Sequence, residues 1–370
     1  MNPVKDRLQS LDVFRGLTIA AMIIVNTPGD EEHSFGPLKH SVWNGCTPTD
    51  LVFPCFIFMM GISIVFALQS KKADLAKRGD ILLKSLKRMV LLILIGWGIQ
   101  LVYHFNFSTL RFPGVLPRLG VVYFLTTLIY LYVSQKGWKY IFGGILIGYY
   151  ILICLIPLQG SYAVTPTHNM AAVIDRFFLS EKHLAKFAYT DPCGIIGTLP
   201  SVCSAMIGLY AGTILKEVNL SPNNKFGSLT LLGSSFTVAG LLFQFIFPLN
   251  KPLWSSSYVL FAGGVCMAAF AFCYWLIDIE KIKAPYWIFT VFGVNAIASY
   301  VLSEVLPKPL NFIIVSSANG KVSGMHIIND LVFVKIFSLQ WASLVTALVF
   351  TLLVWSPMFV FYKKKVIVKI

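Results

Sequence analysis

The sequence predicts an all-α polytopic membrane protein with about ten transmembrane helices. Of its 370 residues, 56% are hydrophobic and only 12% are charged. The mean hydropathy is +0.74. Apolar runs of roughly 18 or more residues recur along the whole chain, and a helix of that length crosses a hydrocarbon core of about 30 Å. A membrane β-barrel would show short segments of alternating polarity instead.

Short connections rich in Pro, Gly and Asn separate the predicted spans. The spans are 11–27, 51–70, 81–103, 118–134, 138–157, 194–215, 228–248, 255–277, 286–306 and 336–361. No linker separates a soluble domain, so we predict a single transmembrane domain over 1–370. The first apolar run lacks a small-residue cleavage site after it, which indicates a retained helix rather than a signal peptide.

The distribution of basic residues predicts that both termini are cytoplasmic. With the N-terminus inside, the inner segments hold 19 Lys and Arg residues and the outer segments hold ten, the bias expected of cytoplasmic loops. This bias also explains the net charge of +14, so we expect no nucleic-acid partner. We expect the protein to be embedded in the lipid bilayer. The seven cysteines contain no CxxC pair and the histidine spacing fits no metal pattern, so no metal is predicted.

The stretch from Leu38 to Ser63 places polar groups at the outer mouth of the second span. His40 can exchange protons near neutral pH, which suits a general base; the alternative is a loop histidine without a role. Trp43 precedes Asn44, which with Gly45 is typical of a turn. Asp50 suits the N-terminal cap of the second helix. Ionisable and amide side chains are costly to place at the mouth of a membrane helix, so these residues are candidates for shaping a site.

Further polar groups lie at other helix ends. Asn26 ends the first span, where its amide could donate to an oxyanion or cap the helix. Arg15 lies three residues after Asp12 and can pair with it or face an anionic ligand. Lys84 and Arg88 lie at the inner end of the third span. There they can fix the orientation of the helix in the membrane or bind phosphate groups.

Two more ionisable side chains lie in apolar spans. Arg118 begins the fourth span, and Glu304 lies within the ninth. A carboxylate inside such a helix requires a partner or a water-filled cavity, so Glu304 is a candidate for shaping the site. We predict that the positively charged side chains of Arg15, Lys84, Arg88 and Arg118 bind a ligand that carries phosphate groups.

The chain resembles a known enzyme family over nearly its whole length. The residues that carry the resemblance are RLQSLDVFRGLTIAAMIIVN, LKHSVWNGCTPTDLVFPCFIFMMG, RFPGVLPRLGVVYF, DPCGIIGTLPSV, LWSSSYVL and GVNAIASYVLSEV, in that order. They are similar to the heparan-alpha-glucosaminide N-acetyltransferase family, which includes bacterial relatives. The luminal domain of the animal enzymes has no counterpart here, so the chain resembles the membrane core alone.

The resemblance implies an activity and a location. The family moves acetyl from cytosolic acetyl-CoA, a co-substrate, to the amine of a terminal glucosamine across the membrane. The active histidine of the family falls on His40 and its companion asparagine on Asn26. The resemblance also implies a multi-pass protein of the inner membrane, a glycan or amino-sugar acceptor, and a homodimer. The acidic loop 27–39, with Asp30 and Glu31-Glu32, differs from the family and should border the acceptor.

Several alternatives are open from the sequence. His40 could act as a general base or as a transient acetyl carrier. An O-acetyltransferase of envelope polysaccharide would share the donor and the base. A small-metabolite transporter would also have about ten spans, although no inverted repeat is evident.

Overall fold

The computed structural model describes residues 8–72, 74–102, 105–185, 189–307, 309–310, 313–317 and 320–368. The described chain is predominantly helical. The helices are α1 Gln9–Asn26, α2 Pro48–Leu68, α3 Arg78–Leu101, α4 Val115–Tyr132, α5 Gln135–Tyr150, α6 Met170–Leu179, α7 Ile195–Lys216, α8 Pro222–Phe243, α9 Ser256–Tyr274, α10 Trp287–Val294, α11 Ala296–Val305, α12 Gly324–Ile328 and α13 Leu339–Lys363. Short π-helical segments continue α5 over Ile151–Leu155 and α9 over Trp275–Ile279.

One small sheet departs from the predicted all-α class. Strands β1 Ile314–Ser317 and β2 Gly320–Ser323 form an antiparallel pair in which Ile314 faces Ser323. The sequence did not indicate this pair, because four-residue strands carry too few residues for a clear alternation of polarity.

Seven of the described helices are long and apolar enough to cross a membrane, which supports a multi-pass membrane protein. The number is eight if α10 and α11, which meet at a bend of 85°, form one broken span. The other two predicted spans fall on α1 and α3, which carry more charge along their length. The count of ten spans and the cytoplasmic termini are therefore not confirmed and stay predictions.

The chain divides into two compact units, which we describe separately. The first contains Met1–Ser41, Thr47–Val52 and Leu276–Ile370, and the second contains Val42–Cys46 and Phe53–Trp275. The single transmembrane domain predicted over 1–370 stays a prediction.

In the first unit, α1 packs against α10 and α13. Glycines allow the backbones of α1 and α10 to approach closely, because a Cβ at Gly16 would collide with the Phe289 carbonyl and one at Gly293 with the Asp12 carbonyl. Small residues serve this purpose in membrane helix pairs. This packing fixes α1, whose C-terminal end precedes the loop that carries His40.

In the second unit, α7 lies at the centre. It packs against α4, α5, α6, α8 and α9. A Cβ at Gly208 of α7 would collide with the Phe58 carbonyl of α2, and one at Gly61 would collide with the Ala205 carbonyl. A small apolar cluster lies at one end of this unit, with Tyr149, Ile153, Ala171, Phe247 and Leu253 at its core.

Candidate functional site

His40 and Asp50 form a hydrogen-bonded pair in the first unit. The Nδ1 atom of His40 lies 2.7 Å from Asp50 Oδ1. The Asp50 side chain is 1% exposed and that of His40 is 53% exposed. The pair therefore joins a buried carboxylate to a ring that other molecules can reach.

The first turn of α2 and the loop before it position Asp50. Its Oδ2 accepts hydrogen bonds from the Ser41 N–H at 3.1 Å and the Thr47 N–H at 3.0 Å. The Thr47 hydroxyl lies 3.1 Å from the same oxygen. The loop therefore donates to Oδ2, while Oδ1 lies against the His40 ring. Asp50 thus orders the loop and holds the histidine at the same time.

This arrangement selects a tautomer of His40. An ionised carboxylate only accepts hydrogen bonds, so Nδ1 carries the proton that is shared with Asp50. The basic lone pair of a neutral ring then lies on Nε2. The geometry makes Nε2 the atom of His40 that can take up a proton.

The sequence predicts that Asp50 caps the second helix and shapes the site. The structure does place it in the first turn of α2, and it adds the bond to His40. A spacing of ten residues across an irregular loop gave no signal for that bond. Thr47, which contacts Asp50, was not predicted as part of the site.

Asn26 is the last residue of α1, and its side chain is exposed. It forms no hydrogen bond with His40 or with any other residue that the structure describes. The cap at this end comes from Thr27, whose N–H and hydroxyl both bind the Ile23 carbonyl. The structure therefore does not join the two predicted catalytic side chains directly.

The loop after α1 contains a second histidine–aspartate pair. His33 Nδ1 lies 2.7 Å from Asp30 Oδ2. Burial raises the pKa of Asp30, but bonds from the His33 ring and from the Glu32 and His33 N–H groups outweigh it and leave the pKa below its ordinary value. The Asp30 N–H also donates to Ser343 Oγ of α13. These bonds give the acidic loop a defined conformation.

The Trp-Asn-Gly turn belongs to the second unit and is anchored there. The Trp43 indole donates to the Val164 carbonyl at 3.3 Å, and Asn44 Oδ1 accepts from Asn250 Nδ2 at 3.2 Å. Gly45 has φ 116° and donates to the Leu249 carbonyl. A positive φ of this size suits glycine, which explains the turn.

Arg15 is held by protein groups. Its Nη1 lies 3.3 Å from Asp12 Oδ1 and 3.3 Å from the Gly293 carbonyl oxygen. The structure thus contains the ion pair that the three-residue spacing allows.

The other predicted cations lie in the second unit. Lys84 is exposed on α3, one turn before Arg88. The Arg88 guanidinium lies 4.5 Å from the centre of the Tyr123 ring, which favours its charge. Lys84 and Arg88 share a helix face, so both could reach one anionic group.

Arg118 has a different environment. It is 2% exposed, its Nη2 donates to the Gly194 carbonyl at 2.9 Å, and its guanidinium lies 5.1 Å from the centre of a Trp254 ring. Nearby, Arg111 forms a two-point ion pair with Asp191, which sequence analysis did not pick out. These bonds link the segment before α7 to the start of α4, so Arg118 has a clear packing function.

Glu304 lies in α11 and is partly buried. Among the described residues, no group of three His, Cys, Asp or Glu side chains could hold a metal ion.

Comparison with known proteins identifies related sequences. A family model described as heparan-alpha-glucosaminide N-acetyltransferase, catalytic, matches residues 7–234. The human protein named heparan-alpha-glucosaminide N-acetyltransferase is 30% identical over 372 aligned positions, which cover 84% of this chain and 55% of the human protein. The mouse protein of the same name is 31% identical, with 83% and 55% covered. The chain spans about half the length of these relatives.

Proposed function

The chain belongs to the heparan-alpha-glucosaminide N-acetyltransferase family, and on this premise we propose that it is a membrane acetyltransferase. The donor is acetyl-CoA from the cytoplasm, and the acceptor is the amine of glucosamine or of a glycan that ends in glucosamine. The acceptor lies on the outer side of the inner membrane. The observation that carries the proposal is the bond between His40 and the buried Asp50.

His40 acts as the general base. An amine must be neutral to attack a thioester, and it must lose a proton as it forms an amide. With Nδ1–H bound to Asp50, Nε2 accepts that proton. The carboxylate stabilises the imidazolium that results, because opposite charges at hydrogen-bond distance attract each other.

The reaction balances without a further reactant. The amine nitrogen forms a bond to the acetyl carbonyl carbon, and the bond from that carbon to sulfur breaks. His40 takes the amine proton and returns it to the CoA thiolate. In a two-step variant, Nε2 itself attacks the thioester, the bond from carbon to sulfur breaks and CoA leaves as the thiolate. The amine then attacks the acetyl carbon, the bond from that carbon to Nε2 breaks, and the amine proton passes to the thiolate. Both variants require the tautomer that Asp50 selects.

The remaining predicted residues have supporting roles. Asn26 can donate its amide N–H to the carbonyl oxygen as negative charge develops there. Its exposed side chain at the end of α1 supports this role. Lys84 and Arg88 are proposed to bind CoA phosphates, since guanidinium and ammonium groups suit phosphate oxygens. Lys84 is exposed and Arg88 is partly buried on the same face of α3, whereas Arg15 and Arg118 bind protein groups.

Three predictions of the sequence are kept as proposals. Trp43, Asn44 and Glu304 shape the acceptor site, both termini are cytoplasmic, and the protein is a homodimer. The defined acidic loop around Asp30 supports an acceptor that carries a positive charge before it loses its proton.

The proposal is tested with the full chain in detergent and in vesicles, supplied with labelled acetyl-CoA. We expect CoA release and labelled N-acetylglucosamine when glucosamine is present. The acceptor analogue N-acetylglucosamine, which lacks the amine but keeps the hydroxyl groups, should give no product. Transfer to the hydroxyl groups would instead indicate an O-acetyltransferase. Absence of CoA release with every amine and hydroxyl acceptor would overturn the enzyme proposal.

A further inference from the structure

Helix α6 presents an exposed aromatic face in the second unit. Val173 and Phe177 are 40% and 81% exposed and lie one turn apart, and Phe178 beside them is 67% exposed. The two phenylalanine rings pack edge to face with centroids 5.1 Å apart. Large apolar side chains this exposed need a partner, because leaving them in water is unfavourable.

The opposite face of α6 packs against the interior of the second unit. Ala171 packs in the cluster that contains Tyr149, Ile153 and Phe247. Ala172 and Asp175 are 1% exposed. The helix is therefore held firmly, and the exposed face does not result from a loose segment.

Asp175 fixes the depth of α6 relative to α7. Its Oδ1 accepts the N–H of Ile195, the first residue of α7, at 2.8 Å. Helix α7 is one of the helices long and apolar enough to cross a membrane. Because a span begins where the hydrocarbon core meets the headgroups, α6 lies at the bilayer interface.

The start of α7 presents apolar residues as well. Ile195 and Leu199, one turn apart on α7, are 42% and 46% exposed. On a helix that crosses the membrane, such a face meets acyl chains. Since α6 packs against α7, its aromatic face lies beside a helix that is long and apolar enough to cross the membrane. Aromatic side chains are enriched at this level of membrane proteins, and amphipathic helices lie in the interface with their apolar face toward the acyl chains.

We propose that the face of α6 formed by Val173, Phe177 and Phe178 binds lipid at the bilayer interface, in the leaflet where α7 begins. Ion pairing of Arg176 with Glu181 and its bond to the Tyr189 carbonyl place polar groups at the rim of this face. The helix then anchors the segment between α5 and α7 to the membrane surface.

Photo-crosslinking tests the lipid contact. Phe177→p-benzoylphenylalanine in the full chain, reconstituted in phosphatidylcholine vesicles that contain an alkyne-tagged lipid, should give a tagged protein on irradiation. Glu181→p-benzoylphenylalanine is the control, because Glu181 is highly exposed just beyond α6. We expect at least a fivefold higher lipid yield at position 177 than at 181.

A second variant, Phe178→p-benzoylphenylalanine, provides an independent measurement on the same face and should give the same excess. Equal lipid yields at 177 and 181 would overturn the proposal. A crosslinked product of twice the mass, formed at the expense of the lipid adduct, would also overturn it and would assign the face to a second copy of the chain.

Discussion

The Nδ1 atom of His40 lies 2.7 Å from Oδ1 of Asp50, and that carboxylate is buried while the imidazole is half exposed. The chain contains a second pair of the same kind, His33 with Asp30, also at 2.7 Å. The two pairs differ in setting. Asp50 lies at the start of α2 and also binds Ser41 and Thr47, whereas Asp30 stabilises its own loop. The second pair therefore serves as a matched control for the first.

Replacing His40 should abolish most of the acetyl transfer. Loss of a general base typically lowers a rate by about 10²–10⁴-fold, so His40→Ala should lower kcat by that amount while binding of acetyl-CoA persists. The measurement is CoA release with glucosamine as acceptor. His33→Ala should keep near-normal activity. Full activity of the His40 variant, or equal losses in both variants, would show that the base is elsewhere.

Replacing Asp50 should weaken catalysis through the histidine. In Asp50→Asn, the amide oxygen can still accept the N–H groups of Ser41 and Thr47, which turns the amide NH2 toward His40 Nδ1 and favours the tautomer whose proton is on Nε2. We expect kcat to fall at least tenfold, with the KM for acetyl-CoA within about twofold of wild type, because positioning and not binding is lost. Asp74→Asn, at an exposed carboxylate that pairs with Lys77, is the control. A change in KM alone would contradict a positioning role.

Much of the fold follows from apolar periodicity. The ten predicted spans each fall on a helix or on the bent pair α10–α11, because long apolar runs must satisfy their backbone groups internally. The bend itself was not predicted. Asn295 binds the backbone of Val366 and Val368 at the break, and a contact over about seventy residues leaves no local pattern in the sequence.

The candidate site was predicted less completely. The position of His40 at a helix mouth made it a candidate, whereas Asp50 was predicted to cap the second helix and to shape the site, without a bond to His40. Hydrogen bonds such as those of Asp50 depend on how an irregular loop folds back, and no periodicity describes such a loop. Likewise, the predicted phosphate-binding role of Arg15 and Arg118 rested on charge alone and stays a prediction. No pattern in the sequence indicated their bonds to the Gly293 and Gly194 carbonyls.

The cations of α3 offer a test of acetyl-CoA binding. Arg88→Ala should raise the KM for acetyl-CoA about tenfold, which corresponds to roughly 1.4 kcal/mol, within the range for a hydrogen bond to a charged group. The maximal rate should change little. Lys139→Ala, which removes a cation beside Tyr140 on α5, is the control. An unchanged KM in the Arg88 variant would exclude Arg88 from the CoA site.

The same measurement applies to Lys84→Ala, with a smaller expected rise of about threefold, because an exposed lysine contributes less than a partly buried arginine. The double variant should show the two effects combined. If the Lys84 variant alone had the larger effect, the phosphates would lie nearer the start of α3 than proposed.

Asp175 should make the stability of the protein depend on pH. Burial raises the pKa of Asp175 from 3.8 to about 6. The folded protein therefore holds this proton between about pH 4 and 6 more firmly than the unfolded chain does. Linkage then requires that the stabilising effect of the proton is complete below pH 4 and is lost as the pH rises through 6. The expected result is a melting temperature that falls over this range.

Asp175→Asn should flatten that part of the profile, since an amide does not titrate and its oxygen can still accept the Ile195 N–H. The melting temperature of each protein is measured in detergent between pH 4 and 7. Asp74→Asn, at an exposed carboxylate paired with Lys77, should leave the profile as in wild type. Identical slopes for the Asp175 variant and wild type would mean that another group carries the pH dependence, because only the difference between the two proteins isolates the Asp175 proton.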